Sequence, residues 1–317
     1  MDAFEEYSRI FGIGNTPLIR AKRLEDQVGI KKIYLKNEGH NPTKTYKDRH
    51  ALMHVLSAIN NGYKDITVGT CGNYGAAIAH YATHFDLGAH IFVPNKYSNR
   101  RLNELQSAGV GLIREKGEYE DVVRSSIKSA KENDWYDANS GSNIDTSLTS
   151  CSYISKELVR DLGEVDTISV PVGNGTILSG IYNGFIELLK RKEILNMPRI
   201  VGVSTQNNNA VIESFKMGLK IVRDLNPLSL RLSEVNEPLI AFHCFGGQRA
   251  LDAIYGTDGS GIGLTDEKMT LYQKMILTLE GIKTLPASAG ALGGLIEFHK
   301  EHNLDDGVHV VILTGSG

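Results

Sequence analysis

The sequence predicts an α/β fold with two open, mostly parallel twisted sheets and flanking helices. Short apolar stretches typical of buried strands alternate with longer stretches whose apolar residues have helical spacing, and short connections join them. Three segments that follow predicted strands combine glycine with a hydroxyl or an amide residue. A length of 317 residues and a hydrophobic content of 41% are enough for two compact domains with a sizeable core.

A predicted strand at residues 33–35 and a predicted helix at residues 49–59 flank a polar segment that contains Lys47. The pair Asn41-Pro42 predicts a turn, so we expect Lys47 at a strand-to-helix junction. A lysine in such a partly desolvated place suits a Schiff base with an aldehyde cofactor. Most lysines near a helix start are solvated surface groups, so Lys47 alone does not decide between these interpretations.

Two further segments present backbone amides at the start of a helix. Thr70-Cys71-Gly72-Asn73-Tyr74-Gly75 follows the apolar residues 66–68 and opens a predicted helix, where it offers an amide side chain to a ligand. Pro171-Val172-Gly173-Asn174-Gly175-Thr176 closes the predicted strand 167–172 and precedes a predicted helix at residues 177–189. Two glycines, a hydroxyl and a helix N-terminus are typical of a phosphate site.

The last segment, Leu313-Thr314-Gly315-Ser316-Gly317, ends the predicted strand 309–313 and places a hydroxyl at its carboxyl end. Glycine turns between strands and helices also occur for backbone reasons alone. None of the segments has the Gly-Lys-Ser/Thr ending of a nucleotide P-loop, and no acidic residue stands out as a ribose partner. A nucleotide-binding α/β protein is therefore the last-ranked alternative.

Composition narrows the function classes. Net charge is −3, from 34 basic and 37 acidic residues, which implies no general attraction to nucleic acid or to an anionic membrane. No apolar run has membrane-spanning length, and the acidic N-terminus lacks the features of a signal peptide. The three cysteines and ten histidines have no metal-ligand spacing, so we expect no metal site and a cytoplasmic location.

In this order the four segments resemble those of the fold-type II pyridoxal phosphate enzymes, the tryptophan synthase β-subunit superfamily. Gly14-Asn15-Thr16-Pro17-Leu18 is also similar to theirs, and the resemblance covers nearly the whole chain. Within the superfamily the segments look most like those of threonine synthases, whose anchor motif reads roughly Asn-Pro-Thr-Gly-Ser-Phe-Lys-Asp-Arg. The resemblance implies pyridoxal 5'-phosphate as cofactor, a small amino-acid substrate and a homodimer.

The resemblance also implies a division into two domains. A smaller α/β domain would span residues 47–138, and a larger pyridoxal phosphate-binding domain would combine residues 1–46 and 139–317. The cofactor would lie in the cleft between them, at the carboxyl ends of strands, where open α/β sheets usually bind ligands. The polar stretch at residues 139–149 is the clearest break in apolar periodicity.

Residue by residue, the resemblance assigns Lys47 to the covalent anchor and to proton transfer. Asn73 would bind the ring hydroxyl oxygen of the cofactor, and Thr314 would meet the pyridine nitrogen. The phosphate would be held by four consecutive residues: Gly173, Asn174, Gly175 and Thr176. The substrate would contact one lysine and the asparagine loop: Lys44, Thr70, Cys71, Gly72 and Tyr74. Ser288 admits two interpretations, a helix cap or a residue that approaches the cofactor.

A neutral hydroxyl at the ring nitrogen suits elimination and replacement at the β or γ carbon better than transamination. By resemblance, the expected reaction is that of a lyase of the threonine synthase type, from O-phosphohomoserine to threonine. Lys44-Thr45, Tyr74 and Leu285 depart from the threonine synthase pattern. Cysteine synthase-like β-replacement, a serine/threonine dehydratase and a catalytically silent pyridoxal phosphate-binding paralogue therefore stay open. Lys44 is either a solvated loop lysine or a cation for an anionic group of the substrate.

Overall fold

The computed structural model describes residues 3–70, 72–95, 103, 105–106, 109–304 and 306–316. Within them the strands are β1 Leu18–Arg20, β2 Ile33–Asn37, β3 Asp65–Gly69, β4 Gly88–Pro94, β5 Gly111–Glu115, β6 Tyr136–Asp137, β7 Thr167–Pro171, β8 Arg199–Thr205, β9 Ser260–Leu264 and β10 His309–Leu313. The α-helices are α1 Ala3–Phe11, α2 Lys22–Val28, α3 Lys47–Asn60, α4 Asn73–His84, α5 Tyr119–Asn133, α6 Ile144–Leu162, α7 Thr176–Lys190, α8 Ala210–Lys216, α9 Gly247–Gly256, α10 Asp266–Glu280 and α11 Pro286–His302.

The described strands form two sheets. The larger has the order β1-β2-β10-β7-β8-β9, and the smaller has the order β5-β4-β3-β6. All pairs are parallel except β1 with β2. Strands β7 and β10 are buried along their whole length, as expected for parallel strands covered on both faces by helices. The predicted α/β class with two mostly parallel sheets is confirmed.

Contact density divides the chain into two compact units. Unit 1 consists of Met1–Gly14 and Asn41–Ser150, and unit 2 consists of Asn15–His40 and Cys151–Gly317. The domain limits expected from the resemblance, at residues 47 and 138, stay a prediction. Among the described residues, no helix is both long enough and apolar enough to cross a membrane.

Unit 1 contains the smaller sheet, with helix α1 packed through aromatic rings. The ring of Phe11 lies 5.4 Å from that of Tyr81, and the ring of Tyr7 lies 4.9 Å from that of Phe85, both in edge-to-face geometry. Such pairs add to the free energy gained by burying apolar area. Helix α1 therefore belongs to the core of this unit, although it is far in sequence from its other elements.

An apolar core cluster in unit 2 joins α10, α11 and the larger sheet. Strand β2 also contributes to a buried ion pair, with Lys36 Nζ 2.6 Å from Glu157 Oε2 and both side chains almost fully shielded. Lys36 Nζ also donates to the carbonyl oxygen of Thr16 at 2.8 Å, and Glu157 Oε1 accepts the amide of Asn15 at 2.9 Å. These contacts fix the N-terminal Gly-Asn-Thr-Pro-Leu motif against the sheet. Breaking them would leave a buried charge without its partners, which is costly.

The predicted elements agree closely with the structure where apolar periodicity was strong. The strand predicted at residues 309–313 has those bounds, and the helices predicted at 49–59 and 177–189 extend by one or two residues at each end. The polar stretch 139–149 contains a turn, but helix α6 begins inside it at Ile144.

Candidate active site

Lys47 is the first residue of helix α3, directly after a tight loop. Lys44 has a left-handed backbone with φ of 67°, and its amide donates to the carbonyl oxygen of Asn41 at 2.8 Å. The backbone amide of Lys47 donates to Thr45 Oγ1 at 3.2 Å. Lys44 is exposed and Lys47 is half-buried, so the loop presents one solvated and one partly desolvated lysine.

A buried carboxylate holds this loop. Asp48 Oδ2 accepts the amide of Thr43 at 3.0 Å and its hydroxyl at 2.9 Å, while Oδ1 accepts the Tyr81 hydroxyl at 2.6 Å. Burial raises the pKa of Asp48 to about 6, against these three hydrogen bonds, which lower it. Asp48 is therefore mainly ionised at neutral pH and fixes the backbone on both sides of Lys44.

Two buried histidines follow Lys47 on the same helix. Burial, with smaller effects from the charges of His54 and Lys47, lowers the pKa of His50 well below its usual range. Burial lowers the pKa of His54 to about 3. The ring nitrogens of His54 lie 3.2 Å from the Tyr136 hydroxyl and 2.8 Å from Ser147 Oγ. Both imidazoles are therefore neutral at pH 7, and the helix brings no second positive charge beside Lys47 from these positions.

The asparagine loop begins helix α4. Gly72 has φ of 124° and its amide donates to Thr70 Oγ1 at 3.1 Å, while Asn73 is the first helical residue. Tyr74 turns inward, where its hydroxyl donates to the carbonyl oxygen of Ala138 at 3.1 Å. Cys71, which we predict to contact substrate, lies outside the described residues. A substrate contact of Tyr74 stays a prediction. Because the Tyr74 side chain points inward, we expect such a contact to use the backbone of Tyr74 and not its side chain.

The anchor helix and the asparagine loop meet within unit 1. The rings of His50 and Tyr74 pack edge to face with centroids 5.4 Å apart. The first turn of α3 after Lys47 therefore contacts the start of α4, next to Asn73. Sequence reasoning placed Lys47 and Asn73 in one site by resemblance, whereas this ring contact has no signal in the spacing of the two motifs.

The glycine loop connects β7 to helix α7 in unit 2. Gly175 caps the helix with φ of 88°, and a Cβ atom there would lie 2.7 Å from the Cβ of Ala250. A Cβ on Gly173 would lie 3.0 Å from the carbonyl oxygen of Pro238. The helix begins at Thr176 without a side-chain cap, so its first amides and the Thr176 hydroxyl form a donor set suited to an anion.

Thr314 follows β10, the strand next to β7 in the same sheet. Its Oγ1 atom lies 2.8 Å from Ser288 Oγ, and Ser288 Oγ also accepts the amide of Gly315 at 3.0 Å. The interpretation of Ser288 as a helix cap is therefore wrong, because its hydroxyl serves the turn after β10. Since parallel strands end at the same sheet edge, unit 2 brings Thr314 and the glycine loop to one edge.

Among the described residues, no group of metal-ligating side chains occurs. Several residues that hold these loops in place were not predicted from the sequence: Asp48, Tyr81, Ser204 and Asn209. Asp48 and Tyr81 are ordinary polar and aromatic residues of helical segments in the sequence, and only their pairing across 33 positions reveals their role.

The chain matches a family model described as pyridoxal-phosphate dependent enzyme over residues 10–315. It belongs to that family. Each unit, taken by itself, has groups that fit a part of the cofactor. Unit 2 has a glycine cradle with helix amides for a phosphate and a neutral hydroxyl, and unit 1 has a half-buried lysine. The expected fold-type II family and pyridoxal 5'-phosphate as cofactor are confirmed.

Curated relatives include two threonine synthases. The chain is 31% identical to that of Methanocaldococcus jannaschii over 310 residues, which cover 96% of this chain and 75% of the relative. It is 28% identical to that of Methanosarcina acetivorans, with 89% of this chain and 69% of the relative covered. The chain is therefore similar to threonine synthases, and the prediction of a pyridoxal phosphate-dependent lyase similar to them is confirmed.

Solved structures support the fold. The processed form of threonine deaminase isoform 2 from Solanum lycopersicum superposes with a TM-score of 0.78 at 15% identity, covering 100% of this chain and 91% of that one. Serine racemase from Dictyostelium discoideum gives a TM-score of 0.79 at 18% identity, covering 99% and 96%. At these identities the likeness shows a shared fold and carries no statement about substrate.

Proposed function

We propose that this enzyme acts on an amino acid with a leaving group on its side chain, and that it forms threonine from O-phosphohomoserine. The observation that carries the proposal is the 31% identity to a threonine synthase along 96% of the chain. The order of the anchor, asparagine and glycine loops and of the final turn supports it, because each occurs at the carboxyl end of a strand.

When bound, pyridoxal 5'-phosphate supplies an aldehyde that condenses with amines and a ring that accepts electrons. In our proposal Lys47 holds the cofactor covalently and later moves protons as a free amine. Asn73 binds the ring hydroxyl oxygen, and the amides of the glycine loop with the Thr176 hydroxyl bind the phosphate. The fixed loop before α3 supports the role of Lys47, since Asp48 holds it with two hydrogen bonds to Thr43.

Thr314 in this proposal meets the pyridine nitrogen. Its hydroxyl lies 2.8 Å from another neutral hydroxyl, that of Ser288. A neutral pair does not hold a proton on the ring nitrogen as a carboxylate does, so the ring is a weaker electron sink. This property supports elimination and replacement rather than transamination.

The exposure and position of Lys44 support the proposal that the substrate is phosphorylated. It is exposed, lies three residues before Lys47, and its backbone is held in a left-handed turn. We propose that its ammonium binds the substrate phosphate. Lys44→Ala should raise KM for O-phosphohomoserine about tenfold, the effect of losing one charge-assisted hydrogen bond. Lys131→Ala, on an exposed position of α5, is the matched control. Equal KM values for Lys44→Ala and this control would remove the proposed contact.

The deciding experiment incubates the purified enzyme with O-phosphohomoserine and measures phosphate release and threonine formation. Equal amounts of both products, absent in Lys47→Ala, are the expected result. Release of ammonia and a 2-oxo acid from serine or threonine, without phosphate release from O-phosphohomoserine, would favour a dehydratase. Sulfide-dependent conversion of an O-acylated serine would favour cysteine synthase-like replacement. Cofactor binding without turnover of any of these substrates would contradict the proposed reaction.

A cytoplasmic location and a homodimer also belong to this proposal. Cys151 and Cys244 are both free and buried, which is compatible with a reducing compartment. Sedimentation of the purified chain tests the dimer, and fractionation of the producing cell tests the location.

A further inference from the structure

Asn209 lies in unit 2, directly before helix α8, and its side chain is fully buried. Its Nδ2 atom lies 3.2 Å from the carbonyl oxygen of Val172, 3.0 Å from that of Gly173 and 2.9 Å from that of Leu239. A carboxamide nitrogen has two hydrogens, so these three acceptors share them. The end of β7 and the start of the glycine loop are therefore held by one side chain.

These contacts determine where the loop amides point. In a trans peptide the N–H points opposite to the C=O of the preceding residue. Because the carbonyl groups of Val172 and Gly173 face Asn209, the amides of Gly173 and Asn174 are directed away from it. Those two amides belong to the donor set that suits a phosphate.

Ser204 contacts two of these three carbonyl groups, but not that of Gly173. Its hydroxyl lies 2.7 Å from the carbonyl oxygen of Val172 and 3.2 Å from that of Leu239. The carbonyl oxygen of Gly173 instead has the weak thiol donor of Cys244 at 3.6 Å beside Asn209. The peptide between residues 173 and 174 thus depends on Asn209 more than its neighbours do.

We propose that Asn209 is a positioning residue for the cofactor phosphate, acting through the peptide groups of the glycine loop. This inference rests on the proposed function, which assigns the phosphate to residues 173–176. It predicts that Asn209 affects affinity for the phosphate and not for the rest of the cofactor. Pyridoxal, which lacks the phosphate, is therefore the discriminating probe.

The test compares affinities of the full chain, stripped of cofactor, for pyridoxal 5'-phosphate and for pyridoxal. Asn209→Asp keeps an oxygen for the amides of Val211 and Ile212, which Asn209 Oδ1 caps at 3.1 and 3.2 Å, but it loses the donor. Asn209→Ser removes the donor pair without adding charge. Asn208→Asp is the matched control, since Asn208 is also buried and its Oδ1 accepts the amide of Arg231 at 3.0 Å.

Both Asn209 variants should bind pyridoxal 5'-phosphate about 10- to 100-fold more weakly, as for one or two lost hydrogen bonds, with unchanged affinity for pyridoxal. The Asn208 control should keep both affinities. An unchanged preference for the phosphorylated compound would overturn the proposal, and so would an equal loss for both compounds. Failure of both variants to fold would also overturn it, because it would make Asn209 a residue of the core.

The two levels of inference fail separately. If the unmodified chain does not prefer pyridoxal 5'-phosphate over pyridoxal, the assignment of the phosphate to the glycine loop is wrong. If it does prefer it and the Asn209 variants do too, only the positioning role is wrong. Turnover of O-phosphohomoserine is measured independently of both.

Discussion

The pH dependence of the unfolding free energy that Asp48 causes tests how the loop before Lys47 is held. Its carboxylate is fully buried and accepts hydrogen bonds from Tyr81 and Thr43. Burial raises the pKa of Asp48 from 3.8 to about 6. Between these two values the folded chain keeps a proton that the unfolded chain has already released. The free energy of unfolding therefore falls as pH rises through this window and levels off above pH 6.

The magnitude follows from the shift. A pKa difference of about 2 units corresponds to about 3 kcal/mol, at about 1.4 kcal/mol per unit. Asp48→Asn does not titrate, so the wild type should lose about 2 kcal/mol of this relative to the variant between pH 4 and pH 7, since the unfolded carboxyl is already partly ionised at pH 4. The carboxamide of Asp48→Asn also points its NH2 group at one of the donors that the carboxylate accepts. This mismatch should cost the variant about 1–3 kcal/mol of unfolding free energy at every pH.

Urea unfolding at several pH values between 4 and 8 measures this difference for wild type and Asp48→Asn. Asp145→Asn, which removes an exposed carboxylate from the same unit, gives the effect of one lost surface charge. Parallel pH profiles for wild type and Asp48→Asn would refute the reasoning. A wild type that gains stability with rising pH would show that the hydrogen bonds outweigh burial.

Three other substitutions test the remaining parts of the structure. Gly175→Ala should destabilise the chain by about 1–3 kcal/mol more than Gly163→Ala, as measured by urea unfolding. Both glycines have positive φ, but only at Gly175 would the added Cβ atom meet a neighbouring Cβ atom. Lys36→Met should cost about 3–5 kcal/mol of unfolding free energy, and adding Glu157→Leu should restore most of it, which a double-mutant cycle checks. Ser288→Ala should cost about 1–3 kcal/mol by urea unfolding and alter the visible absorbance of the bound cofactor, since it removes the partner of the final turn's hydroxyl and amide.

Patterns with a local cause could be read from the sequence. Strand β10 and helix α7 have strong apolar periodicity, and the loop between β7 and α7 has glycines that a positive φ and close approach require. The family resemblance added the order of the motifs. These features depend on neighbouring residues or on short segments, so one sequence contains them.

Contacts between distant segments could not be read in this way. Helix α6 begins at Ile144 within a stretch whose polar composition predicted a break, and the buried serines on this helix do not look apolar in a periodicity count. The placement of Tyr74 was also unpredictable, because its inward turn depends on the carbonyl group of Ala138 and on the ring of His50. Tertiary packing decided both cases against local preference.

The three consecutive asparagines at residues 207–209 show why such roles escape a single sequence. Asn207 is exposed and takes a left-handed backbone with φ of 62°, a conformation that asparagine tolerates in turns. Asn208 is buried and accepts the amide of Arg231, whereas Asn209 is buried and holds the carbonyl groups at the end of β7. The same side chain thus serves a turn, a distant loop and the glycine loop, according to which direction the backbone gives it. Because that direction follows from the end of β8 and the start of α8, the proposed phosphate site depends on residues that lie about 30 positions away from the glycine loop in the sequence. Substituting each asparagine in turn should therefore change the preference for pyridoxal 5'-phosphate over pyridoxal only at the third position.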